Sequence, residues 1–495
     1  MTIFGASGDL MRRKVAPAIY NLFREDLLHE NMAFIGFARS DYSDESFRER
    51  IRSGLSEFAR GGPPDEEEWE ELAQRIFYEQ GDYRTPAAFE SLAERVRQID
   101  GEFGIGGGRL HYLAVPPEVV EPIVLNLNSA GLLERRSREE ETKHGAARVV
   151  LEKPFGRDLE SARELNRVLE RQLDESQIFR MDHYLGKETV QNILVLRFAN
   201  AIFEPIWQNR YVKHVHVTVA EKQGIGSRAG YFENAGALRD VMQNHVLQLL
   251  ALFTMEPPAS LEADAIRDEK AKVLRCLRRL SGEELECSMV RGQYGPGTVD
   301  GDRAPGYREE KGVSEESCTE TFVALRTYID NWRWAGVPFY LTTGKRLPRK
   351  LTEVAIEFKQ VPPVLFGTFD QQKPETNVLK IRVQPDENVI LRMNTKAAGM
   401  RLDVRSDEMN FPYGSIQGAA RPEAYERLLL DVVTGNATLF TRRDEIELAW
   451  DFVEPILQHW QNKPCPDFPN YDPGTWGPIS GEDFFREDTC YANRV

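Results

Sequence analysis

Arg180-Met181-Asp182-His183-Tyr184-Leu185-Gly186-Lys187-Glu188 puts a carboxylate, an imidazole, a phenol and an ammonium group into nine residues. Asp182 can orient an imidazole and stabilise its protonated form, while His183, Tyr184 and Lys187 are donors suited to the oxygens of a phosphate. Taken singly, each residue has an ordinary reading, with Asp182 and Lys187 as a surface pair and Tyr184 and Leu185 as core. The combination favours a catalytic, phosphate-binding segment.

A second run, ALRDVMQNHVLQLLAL at 237–252, reads as a helix packed through Leu238, Met242, Leu249 and Leu252 and interrupted by Asp240, Asn244 and His245. Those polar groups need partners if buried. Alone, His245 is more often a hydrogen-bonded core histidine; paired with a carboxylate such as Asp182 it becomes a general base with a fixed tautomer. Glu221 ends an apolar strand and can accept from hydroxyls. The run TTGKRLPRK at 342–350 offers Lys345 and Lys350, either solvated lysines or a second cationic clamp.

Cofactor chemistry is expected at the N-terminal end. Gly5, Ala6, Ser7, Gly8, Asp9 and Leu10 follow the first strand and open a helix, where a dinucleotide's pyrophosphate meets backbone amides. The spelling is G-x-x-G-D-L and not G-x-G-x-x-G, so position carries more weight than pattern. Gly104, Gly106, Gly107 and Gly108 are denser in glycine but precede a strand, which marks a solvent-exposed turn. After the second strand comes Arg39, where an acidic residue would accept from a free ribose 2'-hydroxyl. With Lys14, Arg12 and Arg13 nearby, Arg39 favours the 2'-phosphate of NADP, although Asp41 and Asp44 would allow some use of NAD. Lys153, in Glu152-Lys153-Pro154-Phe155, ends a further strand at the carboxyl edge of the sheet and is placed to bridge cofactor and substrate.

The elements that must position these groups fall into two blocks. In the first 181 residues, short apolar runs at 2–4, 33–38, 110–117 and 147–154 alternate with helical patterns at 65–76, 86–98 and 117–132. That alternation predicts an α/β, Rossmann-like doubly wound dinucleotide-binding domain over 1–181. From 182 to 495, helices are expected at 187–200, 236–255, 421–434 and 442–461, with strands at 213–221, 320–329, 337–342, 352–358, 378–384 and 388–394. Consecutive strands with short connections predict a larger α+β domain with a mainly antiparallel sheet. With no Gly/Ser linker at the boundary, the active site is expected between the domains. The Gly- and Pro-rich stretch 292–317 reads as either a lid or a passive loop, and the Pro-rich tail 464–479 as an extended surface segment.

Composition narrows the class. The 495 residues carry 63 Lys and Arg against 79 Asp and Glu, a formal net charge of -16, which opposes general affinity for nucleic acid. No apolar run reaches the roughly 20 residues that span a bilayer, and the N-terminus lacks a secretory pattern, so no membrane association and a cytoplasmic location are expected. Cys276, Cys287, Cys318, Cys465 and Cys490 form no C-x-x-C pair and read as reduced thiols. The histidines lack the spacing of a zinc site, and no metal is expected.

Taken together, GASGDL at 5–10, EKPFG at 152–156, RMDHYLGKE at 180–188, GYFENAGALRDVMQNHVLQ at 230–248, TGKRLPRK at 343–350 and YDPGTWGP at 471–478 resemble the glucose-6-phosphate dehydrogenase family in order and spacing across nearly the whole chain. The resemblance implies oxidation of glucose 6-phosphate at C1 by NADP, with His245 as base and Asp182 as its carboxylate partner. It further implies that His183, Tyr184, Lys187 and Lys350 bind the phosphate and that Glu221, Asp240 and Lys345 grip the sugar. Lys153 would touch both ligands. Gly5, Gly8, Arg39 and Tyr112 would line the cofactor site, within a homodimer or homotetramer. Two departures stand out: only Met1 to Phe4 precede Gly5, and Leu351 and Ala355 stand where the family's animal branch carries basic residues for a second NADP.

Overall fold

The computed structural model describes residues 1–135, 147–362, 364–365, 374–412 and 422–478. The chain forms two compact units, one of Met1–Lys187 with Ala259–Arg267 and Ala420–Glu447, the other of Glu188–Pro258, Asp268–Ala419 and Leu448–Val495. The single boundary expected after residue 181 is therefore displaced to Lys187, and two later segments return to the first unit. One of them supplies a strand whose pairing with the first sheet no local pattern announces.

In the first unit β1 (Thr2–Phe4), β2 (Phe34–Ala38), β3 (Ile76–Gln80), β4 (Arg109–Leu113), β5 (Ala147–Glu152) and β6 (Ile178–Met181) make a parallel sheet in the order β6-β5-β4-β1-β2-β3. The strand Phe440–Thr441 adds to β6 in the antiparallel sense. This is the doubly wound order whose switch point lies between β1 and β4. The strands are short apolar runs because both faces are covered: Ile3, Phe4, Phe37, Val149 and Val150 are buried. The helix expected over 65–76 ends at Ala73, and Ile76 begins β3.

The second unit is built on an eight-stranded sheet of β7 (Val212–Ala220), β8 (Met289–Gly292), β11 (Phe322–Tyr328), β12 (Pro338–Gly344), β13 (Leu351–Phe358), β14 (Val378–Gln384), β15 (Asn388–Lys396) and β16 (Val404–Pro412). Their order is β16-β15-β14-β13-β7-β12-β11-β8. All neighbours are antiparallel except β7 and β12. Inside the stretch 292–317, β9 (Gly297–Val299) and β10 (Asp302–Ala304) form a hairpin, and Tyr294 and Tyr307 are buried, so the stretch is anchored and not a bare loop.

Two expectations are corrected here. The tail does not merely lie on the surface: Phe468 and Tyr471 are buried, and the Tyr471 hydroxyl donates to the carbonyl of Lys345 at 2.8 Å. The cysteines are not all reduced thiols. Cys318 and Cys465 form a disulfide across 147 residues, because the tail returns to the start of β11 and brings their Cα atoms to 5.5 Å. Cys287 is disulfide-bonded as well, Cys276 is a free thiol, and Cys490 lies outside the described residues.

Candidate active-site residues

In the first unit the motif begins where β6 ends. Arg180 is part of the scaffold: its fully buried guanidinium donates to Glu175 and Asn166. The next residue but one turns the chain. Asp182, 2% exposed, accepts from the Tyr184 amide at 2.9 Å through its side chain and from the Leu185 amide at 3.0 Å through its carbonyl. Gly186 follows because a Cβ there would come within 2.8 Å of the Ala424 carbonyl and press on Leu428. The turn leaves His183 half-buried, its ring 6.3 Å from that of Tyr425, and Lys187 with its ammonium 4.0 Å above the Tyr184 ring.

Lys153 follows β5. Beside it the carboxyl of Glu152 is enclosed by the hydroxyls of Tyr112 and Tyr425, and burial raises its pKa. Tyr112 is fully buried with its hydroxyl given to Glu152, so here it braces the Lys153 turn and does not present a free surface to a cofactor.

The glycine turn has the form expected. Gly5 has φ +81°, and a Cβ on it would lie 2.1 Å from the Ala114 carbonyl, so only glycine fits. The amide of Gly8 donates to the Gly5 carbonyl at 2.9 Å, and Gly8 and Asp9 are exposed where a helix begins. Ser7 and Leu10 are half-buried, and Arg50, which the sequence pattern did not single out, donates to the Ser7 carbonyl at 2.7 Å. Asp9 pairs with Arg13, and Lys14 pairs with Glu423 at 2.7 Å, which draws its charge toward the helix Ala424–Thr434. Arg39 is exposed directly after β2. Asp44, in contrast, is committed: it pairs with Arg95 at 2.6 Å and accepts from the Tyr78 amide at 2.7 Å. That removes one of the two acids that could have served a free ribose, and Tyr78 also fixes the loop by donating to the Ser40 carbonyl at 2.6 Å.

In the second unit, register explains the cluster. Because β7 and β12 run parallel with Ala220 opposite Gly344, Glu221 and Lys345 emerge side by side at their carboxyl ends. They form an ion pair, and the Lys345 ammonium lies 3.8 Å from Asp240 and 4.9 Å from the centre of the Phe232 ring. Leu351 opposite Ala220 brings Lys350, exposed, to the same sheet edge. Tyr231, another residue the pattern left unremarked, donates to Asp240 at 3.3 Å, and burial with that carboxylate raises its pKa.

Asp240 and His245 share a π-helical segment, Leu238–Val246, that continues into the α-helix Leu247–Thr254. In an α-helix two residues five apart point about 140° from each other, whereas the i→i+5 bonding of a π turn brings them toward one face. Asn244 stabilises the wide turn by donating to the carbonyls of Arg239 and Asp240 at 3.1 and 3.0 Å. Both acid and imidazole are buried, His245 at 2% exposure.

The N-terminal part matches the model described as glucose-6-phosphate dehydrogenase, NAD binding domain, over residues 2–192, and the rest matches the C-terminal domain model over 194–492. Glucose-6-phosphate 1-dehydrogenase of Chlamydia pneumoniae is 44% identical over 490 residues, covering 99% of this chain and 94% of that one. Glucose-6-phosphate 1-dehydrogenase 2 of Mycobacterium bovis is 45% identical over 486 residues, covering 98% and 92%. A solved glucose-6-phosphate dehydrogenase in complex with its substrate glucose-6-phosphate is 35% identical, with a TM-score of 0.87 and coverage of 98% and 96%.

Proposed function

The chain belongs to the glucose-6-phosphate dehydrogenase family, and from that premise we propose that it oxidises D-glucose 6-phosphate at C1 to 6-phospho-D-glucono-1,5-lactone with NADP, the entry step of the oxidative pentose phosphate pathway. The observation that carries this reading is the match of both family models across residues 2–492.

In this reading the imidazole of His245 takes the proton of the C1 hydroxyl as the C1–H bond breaks, and Asp182 stabilises the imidazolium. NADP, when bound, supplies the hydride acceptor. The turn shaped by Gly5 and Gly8 offers the backbone amides of Ser7, Asp9 and Leu10 to the pyrophosphate, Arg39 receives the 2'-phosphate, and Lys14, held by Glu423, adds positive charge to the cofactor end of the unit. Exposed Arg39 and committed Asp44 support NADP over NAD. His183, Tyr184, Lys187 and Lys350 hold the substrate phosphate, a remote anchor whose binding energy positions C1. Glu221, Asp240 and Lys345 hold the sugar, which their mutual contacts support, and Lys153 touches both ligands.

The assembly is a homodimer or homotetramer built through the second sheet. Support comes from register: Val389, Leu391 and Met393 of β15 share a face with Met409 and Phe411 of β16, and Met393, Met409 and Phe411 are 40%, 49% and 56% exposed. Among the described residues no helix is long and apolar enough to cross a membrane.

Initial rates of nicotinamide reduction test the function, with glucose 6-phosphate against glucose and NADP against NAD. Fast turnover is expected only with the phosphorylated sugar. Equal rates with both sugars would reject the phosphate role of residues 183–187.

A further inference from the structure

Glu320 lies just ahead of β11, 75 residues beyond His245 in sequence, and it is 5% exposed. Its position looks structural until its partners are traced. The two amides at the entry to the π-helical segment, that of its N-cap residue and that of its first residue, both end on Glu320: Ala237 donates to its main-chain carbonyl at 3.0 Å, and Leu238 donates to its Oε1 at 3.0 Å. The segment's own N-cap residue, Ala237, has no side chain able to do this. The cap is therefore supplied from outside the helix.

The fit is close. Gly236 enters the segment with φ +65°, and a Cβ there would lie 2.2 Å from Glu320 Oε1. Thr319 donates to the Glu233 carbonyl at 2.9 Å, so the same strand entry also holds the helix that precedes Gly236. On its other side, the Thr321 carbonyl accepts from the Lys345 amide at 2.9 Å, and the Tyr471 hydroxyl joins Thr321 Oγ1 to the Lys345 carbonyl, each at 2.8 Å. Three consecutive residues thus set the start of the helix carrying Asp240 and the backbone of Lys345, whose side chains meet at 3.8 Å.

We propose that Glu320 is a positioning residue for the sugar-binding cluster: by capping the π-helical segment through both its carboxylate and its carbonyl, it fixes Asp240 against Lys345 and sets the register of His245 on the same segment. A carboxylate at a helix N-terminus satisfies donors left without intrahelical partners and complements the positive end of the dipole. The assignment rests on the proposed activity for its readout, because the cluster's task in that reading is to hold the sugar.

The test compares full-length E320A, E320Q and E320D. Loss of the acceptor in E320A is expected to raise the KM for glucose 6-phosphate by about tenfold or more and to lower kcat, leaving the KM for NADP within about twofold of wild type. Glutamine reaches as far and keeps an acceptor oxygen, so E320Q should stay within about threefold of wild type in KM, whereas aspartate falls one methylene short and should resemble alanine. Simple destabilisation would lower the active fraction and hence the apparent kcat without moving the sugar KM. A wild-type KM for glucose 6-phosphate in E320A, or an E320Q as impaired as E320D, would overturn the assignment. Should E320A fail to fold, the glutamine and aspartate pair carries the same comparison. Wild-type enzyme that does not reduce NADP with glucose 6-phosphate would instead overturn the proposed function, a result separable from any variant.

Discussion

Lys345 shows why contacts and roles must be separated at the scale of single residues. Its side chain is 2% exposed and neutralised by Glu221 and Asp240, so replacing it would strand a buried carboxylate and mix lost binding with lost folding. His245 is the cleaner probe. His245→Asn keeps a polar side chain of similar reach while removing the base, and kcat should fall by roughly two to four powers of ten with little change in the KM for glucose 6-phosphate. Near-normal turnover would reject His245 as the base. Arg39 tests the cofactor side, since an exposed guanidinium after β2 has no evident packing duty. Arg39→Ala should raise the KM for NADP by roughly tenfold or more and leave that for NAD nearly unchanged, matching the loss of a charge-assisted contact. Steady-state kinetics with both dinucleotides decide it; parallel losses would mean that Arg39 serves a part common to both.

At the scale of elements, what could be read in advance follows burial. β1, β2, β4 and β5 are covered on both faces and appear as short apolar runs, so the doubly wound sheet was legible from them. β16 was not, because an exposed strand carrying Val404–Pro412 shows no alternation, and β6 is only four residues long and runs into the Arg180–Glu188 run. The π-helical turn also escaped, since an apolar stripe reports a helix but not its local winding. Arg50, Tyr78 and Glu320 act through partners distant in sequence and carry no local signal, as is true of the Cys318–Cys465 pair, while Tyr231 acts through Asp240 nine residues on without standing out from its run. Burial within an element also has a pH signature. His111 in β4 is fully buried, with Nε2 2.9 Å from the Leu132 carbonyl, and burial lowers its pKa to about 4. An unfolded histidine titrates near pH 6.5, so between about 6.5 and 4 the unfolded chain binds a proton the native state refuses, and stability falls as pH falls through that window. His111 alone should remove about 2 kcal/mol between pH 7 and 5. Urea unfolding of wild type and His111→Gln at the two pH values measures it; identical pH slopes would refute the assignment.

At the scale of the whole molecule, net charge and exposed apolar surface act against each other. Each chain carries a formal charge of -16, so two copies repel at long range, and association needs short-range contacts that outweigh this repulsion. The β15–β16 face offers that burial in Met393, Met409 and Phe411, with Val389 and Leu391 on the same side by register. An apolar stripe on an outer pair of strands also invites edge pairing unless a defined partner covers it, which makes a specific, symmetric interface the economical solution. If repulsion opposes the contact, salt should strengthen it, because at about 0.15 M the screening length is already near 8 Å and shortens further with added salt. Wild-type protein is therefore expected to sediment as a multiple of 56.6 kDa, with tighter association in higher salt. Met409→Glu with Phe411→Asp should shift the distribution toward the single chain, since it both removes apolar area and adds charge where two negative molecules must approach. Sedimentation velocity across a salt series reads both effects. An unchanged mass in the double variant would place the interface elsewhere, and association that weakens with salt would show that ion pairs, not this stripe, hold the copies together.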